Sequence, residues 1–194
     1  GIVSPFSVFA EVSENARGFA WGGGVTSNPA GYEGIGWVSM NNLSDGSATS
    51  YGVNIPATDG NLSGYAWSEY YGWISFNSGD LTGCSPVLTG ATRTGNAITG
   101  GARILAIRDA GANSGGYDGC VSLSGVEYGL TVNTATNPAS VNGYAWSSDL
   151  GWIDFSGVTL GSSLSECSDG IDNADPEDTL VDMADPGCSN PADT

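Results

Sequence analysis

The sequence predicts an all-β chain, an antiparallel sandwich or barrel built from tandem three-stranded repeats and followed by a small acidic C-terminal segment. Three observations predict it. Turn-forming Gly, Ser, Asn and Asp recur every few positions while Leu is scarce, which is the texture of short strands rather than helices. All six Trp fall inside one spaced pattern. A second short segment, apolar at alternate positions, precedes each Trp pattern.

The Trp pattern organises the elements in order. Residues 64–76 read GYAWSEYYGWISF and residues 143–155 read GYAWSSDLGWIDF, with the same spacing throughout. The first copy divides the pattern between GFAW at 18–21 and GWVSM at 36–40, with a longer loop between them. A degraded copy lies between the second and the last, where Arg103 and Cys120 stand in the Trp places. The opening segments are Phe6-Ser-Val-Phe-Ala, Tyr51-Gly-Val-Asn-Ile and Tyr128-Gly-Leu-Thr-Val, so Val8, Val53, Val87 and Leu130 are aligned across four copies. The copies lie near 6–40, 51–76, 87–123 and 128–155, inside a domain expected over residues 1–160.

A tight turn at Tyr70-Tyr71 would pair Glu69 with Gly72, Ser68 with Trp73, Trp67 with Ile74 and Tyr65 with Phe76. Opposed residues share a face, so Tyr65, Trp67, Ile74 and Phe76 are expected in the core, with Trp146 placed like Trp67. Trp73 falls on the second face, and Trp152 and Trp37 with it. That face would pack on another sheet, on an apposed subunit or on a sugar ring. Trp21 completes the set of repeat aromatics.

Composition narrows the function. Twenty-one Asp and Glu face four Arg, with no Lys or His, giving a net charge of −17. Phosphate binding needs a basic surface, so nucleic acid is excluded as a partner. Without His or Lys there is no Ser-His-Asp triad, His-based zinc site or Schiff base, and the expectation is a protein that is not an enzyme. Carboxylate pairs such as Asp149 and Asp154 are common in any acidic chain. No apolar run is long enough to span a membrane as a helix, and a chain opening on Gly1 rather than Met reads as an exported product whose leader has been removed. Cys84, Cys120, Cys167 and Cys188 make an even set, read as two disulfides. Three connectivities are open, of which Cys84 with Cys120 and Cys167 with Cys188 is favoured; each would restrict the unfolded chain by about 3 to 4 kcal/mol.

The paired GYAW and GWISF segments, introduced by YGVNI, resemble repeats of large surface-exposed bacterial proteins, which implies a cell-surface or extracellular location. From Ser162 the texture changes, and residues 161–194 are expected as an acidic tail. Six Asp and Glu177 lie between Cys167 and Cys188. Crowding carboxylates in this way is costly without a counter-ion, and Ca²⁺ accepts six to eight oxygen ligands in flexible geometry. A solvated acidic appendage is the other reading. The run Cys167-Ser-Asp-Gly-Ile-Asp-Asn resembles an Asp-rich calcium-binding repeat of bacterial surface proteins, and the resemblance implies Asp169, Asp172, Asn173, Asp175, Asp178 and Asp182 as ligands.

The N-terminus is apolar, and Gly1, Ile2, Val3, Ser4 and Pro5 match nothing in the other copies. They are expected to extend into a neighbouring subunit by strand donation, a head-to-tail contact that does not close. The expected function is thus a homopolymeric structural subunit of an extracellular filament or surface layer, stabilised by calcium and disulfides. The alternative is a calcium-dependent carbohydrate-binding or adhesive module with a glycan ligand.

Overall fold

The computed structural model describes residues 14–27 and 30–161. The described strands all belong to the first of the two units into which the chain divides, Gly1–Leu160 and Gly161–Thr194. They are β1 (Ala16–Ser27), β2 (Ala30–Ser39), β3 (Val53–Asn54), β4 (Gly60–Asn61), β5 (Ser63–Ser68), β6 (Gly72–Ser75) and β7 (Thr92–Thr94). The second half supplies β8 (Ala97–Thr99), β9 (Gly101–Ile104), β10 (Cys120–Ser122), β11 (Leu130–Asn133), β12 (Ala139–Ser147), β13 (Gly151–Asp154) and β14 (Val158–Leu160). Two short helices, α1 (Asn42–Asp45) and α2 (Leu105–Ala110), lie in connections.

Eight of the strands form a closed antiparallel barrel. Four hairpins, β1–β2, β5–β6, β9–β10 and β12–β13, stand side by side, with β2 on β5, β6 on β9, β10 on β12 and β13 back on β1. The interior is a packed core, as expected for eight strands, whose lumen is only wide enough for side chains. Each hairpin contributes one small and one β-branched residue in a directly opposed pair: Ala20 with Val38, Ala66 with Ile74, Ala102 with Val121, and Ala145 with Ile153. All eight are buried. The small partner leaves room for the branched one across a narrow barrel. Below this layer Met40, Phe76, Leu123 and Phe155 close one end, each buried and each drawn in by an N–H bond to Gly18, Gly64, Gly100 or Gly143.

The register differs by one residue from the expected one. Tyr65 pairs with Ser75, Ala66 with Ile74, Trp67 with Trp73 and Ser68 with Gly72, and the last hairpin pairs Trp146 with Trp152 and Ser147 with Gly151. The cause is the glycine that ends the loop. Gly72 and Gly151 have φ of 71° and 80°, so each loop has three residues and closes on a left-handed glycine instead of turning tightly in two. A slip of one residue exchanges faces. Tyr65 and Trp67 therefore leave the core and join Trp73 outside, while Ala66 replaces them within.

The opening segments are not uniform third strands of the repeats. Val53 of β3 pairs with Gly64, and Leu130 of β11 with Gly143. In the third hairpin the equivalent residue is buried Ala91, following Gly90, whereas Val87 is 90% exposed, so the alignment of Val87 with Val53 is wrong. In the first hairpin the place expected for Val8 is held by Val158 of β14, which pairs with Gly18. The last described strand thus takes the opening place of the first hairpin, and it also pairs with β12. Close approach explains why glycine begins each hairpin: a Cβ on Gly64 would lie 2.1 Å from the Gly52 carbonyl oxygen, and one on Gly18 2.2 Å from that of Gly157. The remaining strands extend this sheet outward, β8 from β11, β7 from β8 and β4 from β7.

Candidate interaction surface

Because β-strand side chains alternate, the residue after each core alanine points outward. In three hairpins it is Trp, directly opposite a second Trp. The ring centroids of Trp21 and Trp37, Trp67 and Trp73, and Trp146 and Trp152 are 4.7, 4.7 and 4.6 Å apart, all tilted or edge-on. A third ring, two residues before the first Trp, meets the second edge-on: Phe19 at Trp37, Tyr65 at Trp73 and Tyr144 at Trp152, at 6.1, 6.3 and 6.3 Å. Contacts of this type contribute about 0.5 to 1.5 kcal/mol beyond the area they bury. The first and last clusters nevertheless remain open to solvent, with Trp37 60%, Trp152 51% and Trp146 37% exposed, while Trp67 and Trp73 are partly buried.

The third hairpin is the internal contrast. Arg103 and Cys120 stand directly opposite each other in the Trp places, and both are buried. Cys120 is joined to Cys84, which holds the segment after β6 against this face. Arg103 donates to the backbone carbonyls of Asp118 at 3.0 Å and Asp80 at 3.1 Å, and also to that of Thr82. Where the outer wall is covered by its own chain, it is built from a guanidinium and a disulfide. In the other three hairpins the same places hold Trp pairs.

The described carboxylates serve the fold. Asp149 Oδ2 accepts from the N–H groups of Asp118 and Gly119 at 3.1 and 2.8 Å, tying the tip of the last hairpin to the third. Asp154 accepts from the N–H of Ser156 at 2.8 Å. Asp80 accepts from the Ser75 hydroxyl at 2.6 Å and pairs with Arg108. The Arg108 guanidinium also holds exposed Asp109 below the usual carboxylate range through their hydrogen bond. Tyr51, buried and donating to Asp45, has its phenol pushed above its usual value, first by burial and then by that hydrogen bond.

All six Trp named from the sequence lie on the outer wall, although Trp67 and Trp146 were expected inside. Sequence reasoning missed the rings that complete the clusters, above all Tyr51 and Tyr128, which meet Trp73 and Trp152 edge-on at 5.2 and 5.0 Å. Their shared place at the head of the opening segments was the available signal. The disulfide Cys84–Cys120 is present. Cys167 and Cys188, the calcium ligands Asp169, Asp172, Asn173, Asp175, Asp178 and Asp182, and Gly1, Ile2, Val3, Ser4 and Pro5 lie outside the described residues. Among the described residues no helix is long and apolar enough to cross a membrane. No protein-family model matches the chain, and no curated protein or solved structure matches it.

Proposed function

We propose that the chain is a structural subunit of an extracellular filament or cell-surface layer, built from four copies of one hairpin unit and joined to its neighbours through the outward Trp clusters. The observation that carries this reading is the contrast between the hairpins. Three outer faces carry Trp pairs, two of them with a Trp at least half exposed and the one at Trp67 and Trp73 partly buried, and the face without a pair is covered by the chain itself. Large apolar patches on a soluble surface mark contact sites. The barrel interior is filled, so binding belongs outside. The proposed role is non-catalytic, and the carboxylates Asp149 and Asp154 each accept from backbone N–H groups of the fold. Calcium bound by the acidic tail would offset the charge of −17 on assembly.

The test is sedimentation velocity and negative-stain microscopy of the purified chain with calcium and with chelator. Open-ended assemblies that depend on calcium are expected, and a monomer under every condition would refute the reading. One observation favours a second reading, a calcium-dependent glycan-binding or adhesive module. Register places Trp37, Trp21, Asp154 and Tyr144 in one row across four strands, aromatic faces beside a carboxylate, as sugar platforms require. Quenching of Trp fluorescence by a glycan, in a chain that stays monomeric, would select it.

A further inference from the structure

In the three Trp clusters one position is filled twice and, among the described residues, left open once. Tyr51 meets Trp73 at an interplanar angle of 75°, and Tyr128 meets Trp152 at 83°. Each Tyr directly precedes a glycine whose carbonyl oxygen lies against the first glycine of the hairpin, Gly52 against Gly64 and Gly129 against Gly143. In the first hairpin Gly157 lies against Gly18 in the same way. Here β14 follows β13 with only a short turn between them, Val158 N–H donating to the Phe155 carbonyl at 2.9 Å, so Ser156 stands where the Tyr should be. Trp37 keeps Trp21 and Phe19, but among the described residues no ring fills the third side. It is also the most exposed Trp described.

Resting on the assembly reading, we propose that this open side of Trp37 is the docking site for an aromatic ring from a second copy of the chain, and that the ring is Phe6. Phe6 heads the segment that matches Tyr51-Gly-Val-Asn-Ile and Tyr128-Gly-Leu-Thr-Val. The strand place of that segment is already taken by β14. Nor can the segment displace β14, because Ser7 would fall at Gly157, where a Cβ lies 2.5 Å from the Phe19 carbonyl oxygen. Only the ring position is open to it. Phe6 stands eight residues before Glu14, a reach of up to about 28 Å. A ring given by the segment ahead of Glu14 and a site on the barrel wall make a heterologous contact, which grows without closing.

The experiment uses the full chain with calcium and follows its mass by sedimentation velocity. Phe6→Ala removes the ring, Trp37→Ala removes the site at an exposed position, and Ser156→Tyr fills the site from within. Each is expected to weaken association about tenfold or more while the far-ultraviolet spectrum stays unchanged. Mixing Phe6→Ala with Trp37→Ala is expected to restore one contact per pair and to stop at dimers. Undiminished assembly of the single variants would overturn the proposal while leaving the assembly reading intact. Failure of the mixture to pair would also overturn it, by placing the ring on its own chain. A wild-type chain that never associates would refute both.

Discussion

Gly143→Ala isolates the closest backbone approach in the barrel. Gly143 has φ of 106°, and a Cβ there would lie 2.0 Å from the Gly129 carbonyl oxygen and 3.1 Å from its carbon. Two costs add. A side chain at such a φ costs about 1 to 2 kcal/mol whatever the space around it. A carbon cannot approach a backbone oxygen to 2.0 Å, so β11 must move off β12 by more than an ångström, weakening ladder bonds worth about 1 kcal/mol each. The expected loss is about 3 to 5 kcal/mol, or a fall in Tm of roughly 6 to 20 °C for a chain of this size. Gly151→Ala is the control, because φ there is 80° but nothing lies within 4 Å, leaving only the conformational cost of about 1 to 2 kcal/mol. Urea unfolding followed by Trp fluorescence measures both. Equal losses in the two variants would show that carbonyl contact does not set the glycine requirement.

Replacing Cys84 and Cys120 together by Ser opens a loop spanning a sequence separation of 36 and should cost about 3 to 4 kcal/mol, read as a lower urea midpoint; an unchanged midpoint would remove the disulfide from the account of how this face is held. The Tyr51 phenol is raised in the folded state, so the unfolded chain ionises first: stability is full below the usual value near 10 and falls as pH rises beyond it. Tyr51→Phe should flatten that alkaline loss in urea melts, and an identical pH profile would assign the loss to other groups. Chelation is expected to lower the melting temperature, because carboxylates crowded between Cys167 and Cys188 would lose their counter-ion, and identical melts with calcium and with chelator would count against a metal there.

The all-β antiparallel class was legible because Trp, Ala and Gly recur at one spacing, which holds even where Arg103 and Cys120 replace the Trp pair, but the choice between sandwich and barrel was not. Register was not legible. GYAWSEYYGWISF is compatible with a two-residue or a three-residue loop, and only the left-handed conformation of Gly72 decides between them. That single residue moved Tyr65 and Trp67 from core to surface. The pairing of β14 beside Gly18 in the first hairpin was not foreseen for a related reason. Residues 6–10 match the apolar pattern, but Ser156-Gly157-Val158 carries the glycine that the close approach to Gly18 and Phe19 requires. Likewise Gly90, not an apolar match, marks the third opening segment and makes Ala91 rather than Val87 its buried residue. Backbone crowding, read through glycine, was the stronger signal in each case.

Charge sets a last constraint on how copies can meet, and the four arginines decide its sign. Arg93 is buried, donating to the carbonyls of Gly95 and Pro56 at 2.8 and 2.7 Å. Arg103 is buried on three carbonyls. Arg108 is paired with Asp80 and Asp109, and Arg17 donates to the Glu14 and Ala16 carbonyls. A second copy therefore offers no unengaged guanidinium to the acidic surface of the first, and approach is repulsive at long range. Contact through Trp rings is insensitive to salt, whereas repulsion between exposed charges is screened, over about 8 Å at physiological ionic strength. Association should thus strengthen as sodium chloride is raised at constant calcium, the opposite of an interface built on ion pairs. Light scattering across a salt series measures it. Weakening with salt would mean that ionic contacts such as calcium shared between carboxylates of two copies, rather than paired aromatic surfaces, hold the assembly together.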